Sequence, residues 1–504
     1  MAGKVYLVGA GPGERGLFTL KGLKVLKEAE VVVYDALVGE EVLTLIPEEA
    51  ELINVGKRAG NHIMVQEDIN KVLLDKALEG KKVVRLKGGD PFLFGRGGEE
   101  LELLTKNDIP YEVIPGVTSA FAVPAYNGIP VTHRDYTSSV HIITGHKKKG
   151  EEYDIDFEAL VRTKGTLIFL MGIAALEDIM NSLLKAGMDG KTPAAVLEKG
   201  TTAGQRRVVA TVETLKEEAD KAGIETPAII VVGDVCKLSE EFFWYEKKPL
   251  GTKRILLTRP KDLQSEMAGK LRDLGAEVME LPAIRTEPYK ENQKLKECLV
   301  KDYDWLVFTS PTGVKVFMEE FLKEKDVRAL WKSKLAVIGT GSEKELRKYG
   351  LKADFKPSVF DGETLGRELA GVINSDRRSG NIRVLIPRAA IGNKELTDEL
   401  SKAGNIDIDD IPTYDTVYAS SPVVDERSYV EEGLIDYAVF TSASTVRGFA
   451  AAMEGADITK VKAVCIGKQT EAEALKMGMK TKRAKEASMD SLAQAVIEAA
   501  AGDL

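Results

Sequence analysis

Short runs rich in valine, isoleucine and leucine alternate with amphipathic stretches along almost the whole chain. Such a run predicts a buried strand, whereas apolar residues three and four positions apart predict a helix that packs against it. Strands that alternate with helices form sheets covered by helices, so the sequence predicts an α/β fold. Early strands are expected over 4–8, 31–34 and 82–86, and Thr19 is the predicted N-cap of the helix between the first two.

Length and charge narrow the class of protein further. A chain of 504 residues is too long for one hydrophobic core, so we expect several structural units. The formal net charge of −9 argues against a nucleic-acid partner, because no excess positive charge is available to displace phosphate counterions. Three cysteines without C-x-x-C spacing indicate a reducing compartment and no zinc site. Without a signal-peptide pattern or an apolar run of about 20 residues, a cytoplasmic protein with no membrane partner is expected.

The chain changes character after a polar stretch with proline and glycine, E-K-K-P-L-G-T over 246–252, which we interpret as a linker. Beyond it, the segment Asp304–Phe317 (D-W-L-V-F-T-S…) returns as Asp436–Phe449 (D-Y-A-V-F-T-S…). Neighbouring strand patterns recur in the same order. This favours an internal duplication of a small α/β unit whose two copies flank a ligand cleft, although similar strand composition is the simpler alternative.

The first strand runs into glycines, V-Y-L-V-G-A-G-P-G over 5–13. A dinucleotide fingerprint, G-x-G-x-x-G, requires a third glycine where this chain has Glu14. Pro12 also lacks the backbone N–H that a pyrophosphate would need. An NAD-dependent oxidoreductase is therefore disfavoured. The loop fits either a plain structural turn or the close approach of a flat, adenosine-like ligand.

A second glycine-rich segment, R-L-K-G-G-D-P-F-L-F-G-R-G-G-E-E, extends from Arg85 to Glu100. Glycine loses more conformational entropy on folding than other residues do. A loop with only a structural role therefore rarely contains so many glycines. Further loops follow apolar runs near 114–122, 128–134, 171–172 and 198–207. Because each follows the end of a predicted strand, all of them are expected to converge on one sheet edge.

In this order and spacing, the motifs resemble the S-adenosylmethionine-dependent tetrapyrrole methyltransferases, specifically the uroporphyrinogen-III C-methyltransferases. One departure is G-P-G-E-R, where the family usually has G-P-G-D-P. The resemblance implies a two-lobed α/β domain over 1–245 that binds S-adenosylmethionine between its lobes and releases S-adenosylhomocysteine. It also implies catalysis without a metal ion and, by family analogy, a homodimer.

The resemblance further implies specific site residues. Asp35 would accept a proton and Lys57 would donate one; the alternatives are a helix N-cap and a solvated lysine, respectively. The implied cofactor contacts are Pro12, Gly88, Gly89, Asp90, Leu93, Thr118, Ser119, Met171 and Gly200.

A substrate with eight carboxylates would need cations around the cleft of this acidic protein. Arginine suits carboxylates because its guanidinium group can form two parallel hydrogen bonds. The candidate substrate-binding residues are Arg85, Arg96, His133 and Arg134, with Lys87 and Arg206 as further cations.

The duplicated region, 253–504, resembles uroporphyrinogen-III synthase. Its lobes are expected over 253–284 with 417–504, and over 285–410. The implied reaction closes hydroxymethylbilane into a macrocycle without a cofactor, and Tyr414 matches the interlobe tyrosine proposed to assist loss of the hydroxyl; a packed core tyrosine is the alternative. Hydroxyls at helix starts are the substrate-binding candidates, although helix capping alone would also explain them. These residues are Thr309, Ser310, Thr340, Thr441, Ser442 and Ser444.

The combined hypothesis is a bifunctional enzyme that forms uroporphyrinogen III and methylates it twice to precorrin-2. One alternative is a methyltransferase that acts on a later precorrin. Another makes the second half a two-lobed tetrapyrrole or small-molecule sensor without synthase activity.

Overall fold

The computed structural model describes residues 3–56, 64–145, 155–258, 265–281, 284–375, 381–390, 392, 394–418 and 424–503. Lys57, the predicted proton donor, lies outside these ranges. Within them the chain forms four five-stranded sheets with helices on their faces. The predicted α/β class is therefore confirmed.

The first half contains two of these sheets. Its strands are β1 (Lys4–Gly9), β2 (Val31–Tyr34), β3 (Glu51–Asn54), β4 (Lys82–Lys87), β5 (Tyr111–Ile114), β6 (Val140–Thr144), β7 (Thr166–Leu170), β8 (Pro193–Glu198), β9 (Arg206–Thr211) and β10 (Ala228–Val232). Its helices are α1 (Leu20–Leu26), α2 (Glu40–Leu43), α3 (Gln66–Leu78), α4 (Gly97–Lys106), α5 (Ser119–Tyr126), α6 (Phe157–Thr163), α7 (Leu176–Lys185), α8 (Leu215–Lys221) and α9 (Ser239–Phe242).

The first sheet is parallel, in the order β3-β2-β4-β1-β5. Its central strands are buried on both faces, as expected when helices cover a parallel sheet. The three early strands lie where the sequence predicts them, and the Thr19 hydroxyl accepts a hydrogen bond from Gly22 N at 3.1 Å as the N-cap of α1. Because the strands are parallel, their carboxyl ends lie at one edge of the sheet.

The second sheet is mixed, in the order β6-β7-β10-β8-β9. Strand β10 runs antiparallel to both β7 and β8. Strands β7 and β8 therefore point the same way, and the loops after both leave from one edge.

The second half contains the other two sheets. Its strands are β11 (Arg254–Thr258), β12 (Glu277–Leu281), β13 (Ile284–Pro288), β14 (Trp305–Phe308), β15 (Lys334–Val337), β16 (Ile382–Ala389), β17 (Ile406–Tyr418), β18 (Tyr437–Phe440), β19 (Lys462–Cys465) and β20 (Lys480–Arg483). Its helices are α10 (Ser265–Asp273), α11 (Gln293–Leu299), α12 (Pro311–Phe321), α13 (Thr340–Lys348), α14 (Gly362–Ser375), α15 (Glu395–Ser401), α16 (Glu426–Glu431), α17 (Ala443–Ala452), α18 (Lys468–Lys476) and α19 (Met489–Glu498).

These two sheets repeat one another. The orders are β12-β11-β18-β19-β20 and β13-β17-β16-β14-β15, so that β11, β18 and β19 correspond to β16, β14 and β15. An edge-to-face aromatic pair follows the same strand in each copy, with ring centroids 5.4 Å apart for Phe308–Phe317 and 5.5 Å apart for Phe440–Phe449. The two sheets share their strand order and the geometry of these aromatic pairs. This favours an internal duplication over the alternative of merely similar strand composition.

The segment 246–252, interpreted from sequence as a linker, forms turns that pack against the second half. Leu250 is 0% exposed and belongs to the core that β11 and β12 share with α10 and α19. The Glu246 carboxylate accepts hydrogen bonds from Gln205 Nε2 at 2.9 Å and from Arg207 Nη1 at 2.7 Å. The segment is therefore polar in composition, but it is anchored in the core of the second half by Leu250.

Across the described ranges, none of the helices has the length and apolar character required to cross a membrane.

Candidate active site

Glycine loops from three parallel strands meet at the carboxyl edge of the first sheet. Gly11 and Gly89 form an antiparallel bridge, in which Gly89 N donates to Gly11 O at 2.7 Å. A Cβ on Gly9 would lie 2.5 Å from the Gly116 Cα and 2.6 Å from the Gly89 carbonyl oxygen, so these backbones approach more closely than any side chain allows. The predicted convergence is observed for the loops after β1, β4 and β5. The loops near 171–172 and 198–207 instead follow β7 and β8 of the second sheet, so the expectation of a single sheet edge for all of them is wrong.

Asp90 fixes this arrangement. Its Oδ2 accepts a hydrogen bond from Gly116 N at 3.0 Å and its Oδ1 accepts one from Phe92 N at 2.8 Å. Two residues after Gly116, the Thr118 hydroxyl accepts from Ala120 N at 3.2 Å as the N-cap of α5, which begins at Ser119. The aspartate therefore joins the β4 loop to the start of α5.

A loop from the second sheet lies against the first glycine loop. The Thr201 hydroxyl accepts from Glu14 N at 3.3 Å, and the Tyr126 phenol donates to the Glu14 carboxylate. Glu14, the departure from the family pattern, therefore connects α5 and the β8–β9 loop to the loop after β1. Gly200 precedes Thr201, and Met171, which is 54% exposed, directly follows β7. Loops of both sheets thus contribute to the candidate cleft.

Asp35 directly follows β2 and does not cap a helix. Gly39 is the N-cap of α2, so the N-cap alternative for Asp35 is wrong. Instead, Asp35 Oδ1 accepts from Leu37 N at 3.1 Å, and Oδ2 pairs with Arg85 Nη2 at 3.2 Å. The carboxyl is partly exposed at the sheet edge. It is held at both oxygens and remains open to solvent.

Arg85 requires a correction to the sequence interpretation. Its side chain is 3% exposed and pairs with Glu100 Oε1 at 3.1 Å, in addition to Asp35. It also donates to two backbone carbonyl oxygens, those of Val33 and Leu86. A direct contact with substrate, as predicted, is contradicted by this burial, and the guanidinium instead positions Asp35.

Glu100 is the residue that sequence reasoning missed. It lies in the first turn of α4, is 0% exposed and accepts a hydrogen bond from Lys87 Nζ at 2.7 Å as well as pairing with Arg85. Burial lowers the pKa of Lys87, and the neighbouring Arg85 charge lowers it further. A signal was available, because two cations inside the apolar β4 strand require a buried anion.

The other predicted cations have different surroundings. Arg96 is exposed, adopts a left-handed conformation with φ of 58° and pairs with Glu99 at 3.1 Å. The His133 ring accepts a hydrogen bond from Asp135 N at 3.2 Å, and Arg134 is exposed beside it. The half-exposed Arg206 donates hydrogen bonds to Glu198 at 2.7 Å and to the carbonyl oxygens of the α8–β10 turn.

In the second half, Tyr414 on β17 and Ser310 come together. Their hydroxyl oxygens are 2.8 Å apart, and Ser310 Oγ also accepts from Gly313 N at 2.9 Å as the N-cap of α12. Burial raises the pKa of Tyr414, whose side chain is almost fully enclosed. The packed-core alternative for Tyr414 is thus correct for its ring, while its hydroxyl is bonded to a predicted site residue.

The repeat places the matching serine at the start of another helix. Ser442 Oγ accepts from Thr445 N at 3.3 Å in a capping box at α17, and it lies 2.8 Å from Ser444 Oγ. Helices α12 and α17 both pack against β17, the strand that carries Tyr414. The capping alternative is therefore observed for Ser310 and Ser442. The remaining candidates also lie at strand-to-helix junctions: Thr309, Thr340 and Thr441.

Comparison with known proteins finds two family models that match separate parts of the chain. Residues 4–216 match the family model described as tetrapyrrole (corrin/porphyrin) methylases, and residues 265–494 match uroporphyrinogen-III synthase HemD. The porphyrin biosynthesis protein HemD of Ruminiclostridium josui is 45% identical over 506 residues, covering 100% of this chain and 99% of its own length.

A second relative matches the first half alone. The S-adenosyl-L-methionine-dependent uroporphyrinogen III methyltransferase of Methanosarcina barkeri is 53% identical over 239 residues, covering 47% of this chain and 94% of its own length. A third, the uroporphyrinogen-III C-methyltransferase of Bacillus subtilis, is 40% identical over 351 residues, covering 69% of this chain and 72% of its own length. The first half of the chain carries the glycine loops, and the second half is the internal duplication. The chain belongs to the family of tetrapyrrole methylases fused to uroporphyrinogen-III synthase.

Proposed function

We propose that the second half converts hydroxymethylbilane to uroporphyrinogen III and that the first half transfers two methyl groups to that product, giving precorrin-2. The observation that carries the proposal is the joining of the two families in one chain, since the second would make the substrate of the first. We assign residues 1–245 to methyl transfer and 253–504 to cyclisation, with 246–252 between them.

The loops that meet at Gly9, Gly89 and Gly116, which we call the glycine cradle, fit S-adenosylmethionine. Gly89 adopts φ of +67°, and a Cβ there would meet nothing within 4 Å, so this backbone borders open space. The adjoining loops would hold the cofactor through Pro12, Gly88, Gly89, Asp90, Leu93, Thr118, Ser119, Met171 and Gly200. When bound, the cofactor supplies an electrophilic methyl group, and catalysis depends on aligning the substrate carbon with it.

Asp35 is proposed as the base. After a pyrrole carbon gains a methyl group, the ring must lose a proton, and a carboxylate at the cleft edge can accept it. The Arg85 guanidinium and Leu37 N hold its two oxygens in place. Arg96 and Arg134 supply cations for the substrate carboxylates, and His133 is a further substrate-binding candidate beside them. Lys57 is proposed as the proton donor on resemblance alone. That resemblance also supports a homodimer formed through this half.

Tyr414 is proposed to assist departure of the hydroxyl group of hydroxymethylbilane. The Tyr414 phenol is protonated at neutral pH, and burial raises its pKa further, so its role is to donate a hydrogen bond to the departing hydroxyl group. Ser310 and Ser442, with their neighbouring threonines and backbone N–H groups at helix starts, would bind substrate carboxylates.

The two activities can be measured separately in the intact protein. Hydroxymethylbilane alone should yield uroporphyrinogen III, and uroporphyrinogen III with S-adenosylmethionine should yield a dimethylated product. Formation of only isomer I, as occurs spontaneously, would contradict the synthase assignment. Methylation of an already methylated ring, with no turnover of uroporphyrinogen III, would instead favour the later-precorrin alternative.

A further inference from the structure

Two loops of the candidate methyltransferase cleft and the short helix α2 are bonded to the second half. Arg15, in the loop after β1, pairs with Glu280 at 3.1 Å. Glu41, on α2, pairs with Arg272 at 2.6 Å. In the β8–β9 loop, Ala203 N donates to Glu277 Oε2 at 2.7 Å. The second half therefore contacts the cleft from outside, through β12 and the end of α10.

Arg272 is the centre of this contact. It projects from α10 and pairs with Glu280 at 2.8 Å as well as with Glu41. Its Nη2 also donates to Val278 O at 3.3 Å, and the Glu41 carboxylate accepts from Val278 N at 3.3 Å. Glu41 is 4% exposed and the Arg272 side chain is 20% exposed, so the carboxylate is buried and the guanidinium is mostly enclosed. An ion pair with these further hydrogen bonds fixes geometry strongly.

Helix α2 transmits this geometry to the cleft. Its N-cap, Gly39, packs so tightly on Gly13 that a Cβ would overlap the Gly13 carbonyl oxygen. Four residues before Gly39 lies Asp35, and Leu37 contacts Gly88, where a Cβ would lie 2.6 Å from the Leu37 Cβ. A shift of α2 would therefore move the first glycine loop and the β4 loop together.

We propose that Arg272, a residue of the synthase half, is a positioning residue for methyl transfer, acting through Glu41 on the cofactor loops. The inference rests on the proposed cofactor cleft. It implies that the fused second half contributes to methyl transfer by holding α2 and the glycine loop in place, in addition to making the substrate.

The test uses the full chain with Arg272→Met, which removes the guanidinium charge and keeps an unbranched apolar side chain in place of the arginine stem. We expect the KM for S-adenosylmethionine to rise about tenfold, because the contacted loops carry the proposed cofactor residues. The kcat should change little, since Asp35 keeps its bonds to Arg85 and Leu37 N. Synthase activity in the same sample should be unchanged and shows that the second half is folded. Arg483→Met is the matched control, because Arg483 pairs with Glu471 at 2.7 Å within the second half.

A double variant separates positioning from stability. Removing Arg272 alone leaves the buried Glu41 carboxylate unpaired, so Arg272→Met with Glu41→Gln should recover most of the lost affinity for S-adenosylmethionine. An unchanged KM in Arg272→Met would overturn the inference. So would a parallel loss of both activities, or no recovery in the double variant. Failure of the wild-type protein to methylate uroporphyrinogen III would refute the proposed function instead, before any variant is compared.

Discussion

Arg85 illustrates how one residue type supports opposite interpretations. An arginine beside a glycine-rich loop suggests a ligand for a carboxylate-rich substrate, but here its charge is neutralised within the protein by Asp35 and Glu100. The alternating pattern of β4 places Arg85 and Lys87 on the same side of the strand, and the compensating Glu100 lies 15 residues from Arg85. Sequence alone identified the strand and the cations but not the buried anion that joins them.

Replacing Asp35 by asparagine tests the proposed base. The amide keeps an oxygen for Leu37 N but cannot accept the ring proton, so methyl transfer should slow by about 10²- to 10⁴-fold. Affinity for S-adenosylmethionine, measured by calorimetry, should stay within about twofold of wild type. A variant that methylates at the wild-type rate would remove Asp35 from the mechanism.

Glu100→Gln tests the buried charge cluster. Removing this carboxylate leaves Arg85 and Lys87 buried near each other without their shared anion, and we expect the free energy of unfolding to fall by about 3–5 kcal/mol. The neighbouring Glu99→Gln is the control, because Glu99 is exposed and its change should stay within about 0.5 kcal/mol. Urea unfolding of both proteins gives the comparison, and equal stabilities would contradict the role given to Glu100.

At the scale of elements, the sequence predicted strands, helix caps and strand-to-helix junctions better than it predicted the roles of single residues. The early strands, the N-cap at Thr19 and the repeated strand-to-helix junctions follow from periodicity and capping chemistry. The serines at these junctions cap α12 and α17, a role that does not distinguish a structural hydroxyl from a substrate ligand. The close approach of Gly9, Gly89 and Gly116 depends on strand order, which periodicity does not specify.

Gly116→Ala tests whether these loops must touch. The new methyl group would overlap the Gly89 carbonyl oxygen and force the β1, β4 and β5 loops apart, so affinity for S-adenosylmethionine should fall about tenfold or more. Gly98→Ala is the control within α4, where a Cβ meets nothing within 4 Å and should stabilise the helix slightly. Equal cofactor affinity in the two variants would show that the cradle does not bind the cofactor.

At the scale of the whole molecule, the contact between halves was not predictable from the sequence. Arg272 and Glu41 are 231 positions apart, and neither lies in a motif. The polar stretch over 246–252 suggested a free connection, whereas Leu250 anchors it in the second core. Charges this far apart in the sequence pair only when the two folded halves pack against each other. No local sequence pattern predicts that packing.

The junction between halves also contains a carboxyl group that should titrate near neutral pH. Burial, together with the smaller effect of the neighbouring Glu40 and Asp425 charges, raises the pKa of Glu426 to about 8. The folded protein therefore holds a proton that the unfolded chain releases above its ordinary pKa. The stability from this proton is complete below that ordinary value and is lost as the pH rises through about 8.

Glu426→Gln should remove this pH dependence. Relative to the variant, the wild-type protein should lose thermal stability between about pH 5.5 and about pH 8.5. Melting temperatures at both pH values test this, with Glu431→Gln as a control on the same helix, where Glu431 pairs with Arg427 at 2.8 Å. An equal change in melting temperature between the two pH values for wild type and Glu426→Gln would contradict the raised pKa of Glu426.

The most direct test of the account is one coupled reaction of the intact protein with hydroxymethylbilane and S-adenosylmethionine, analysed by mass and isomer type. If the second half makes what the first half methylates, a dimethylated product of the type III isomer accumulates. If the product is unmethylated, or is isomer I alone, the proposed bifunctional enzyme is contradicted.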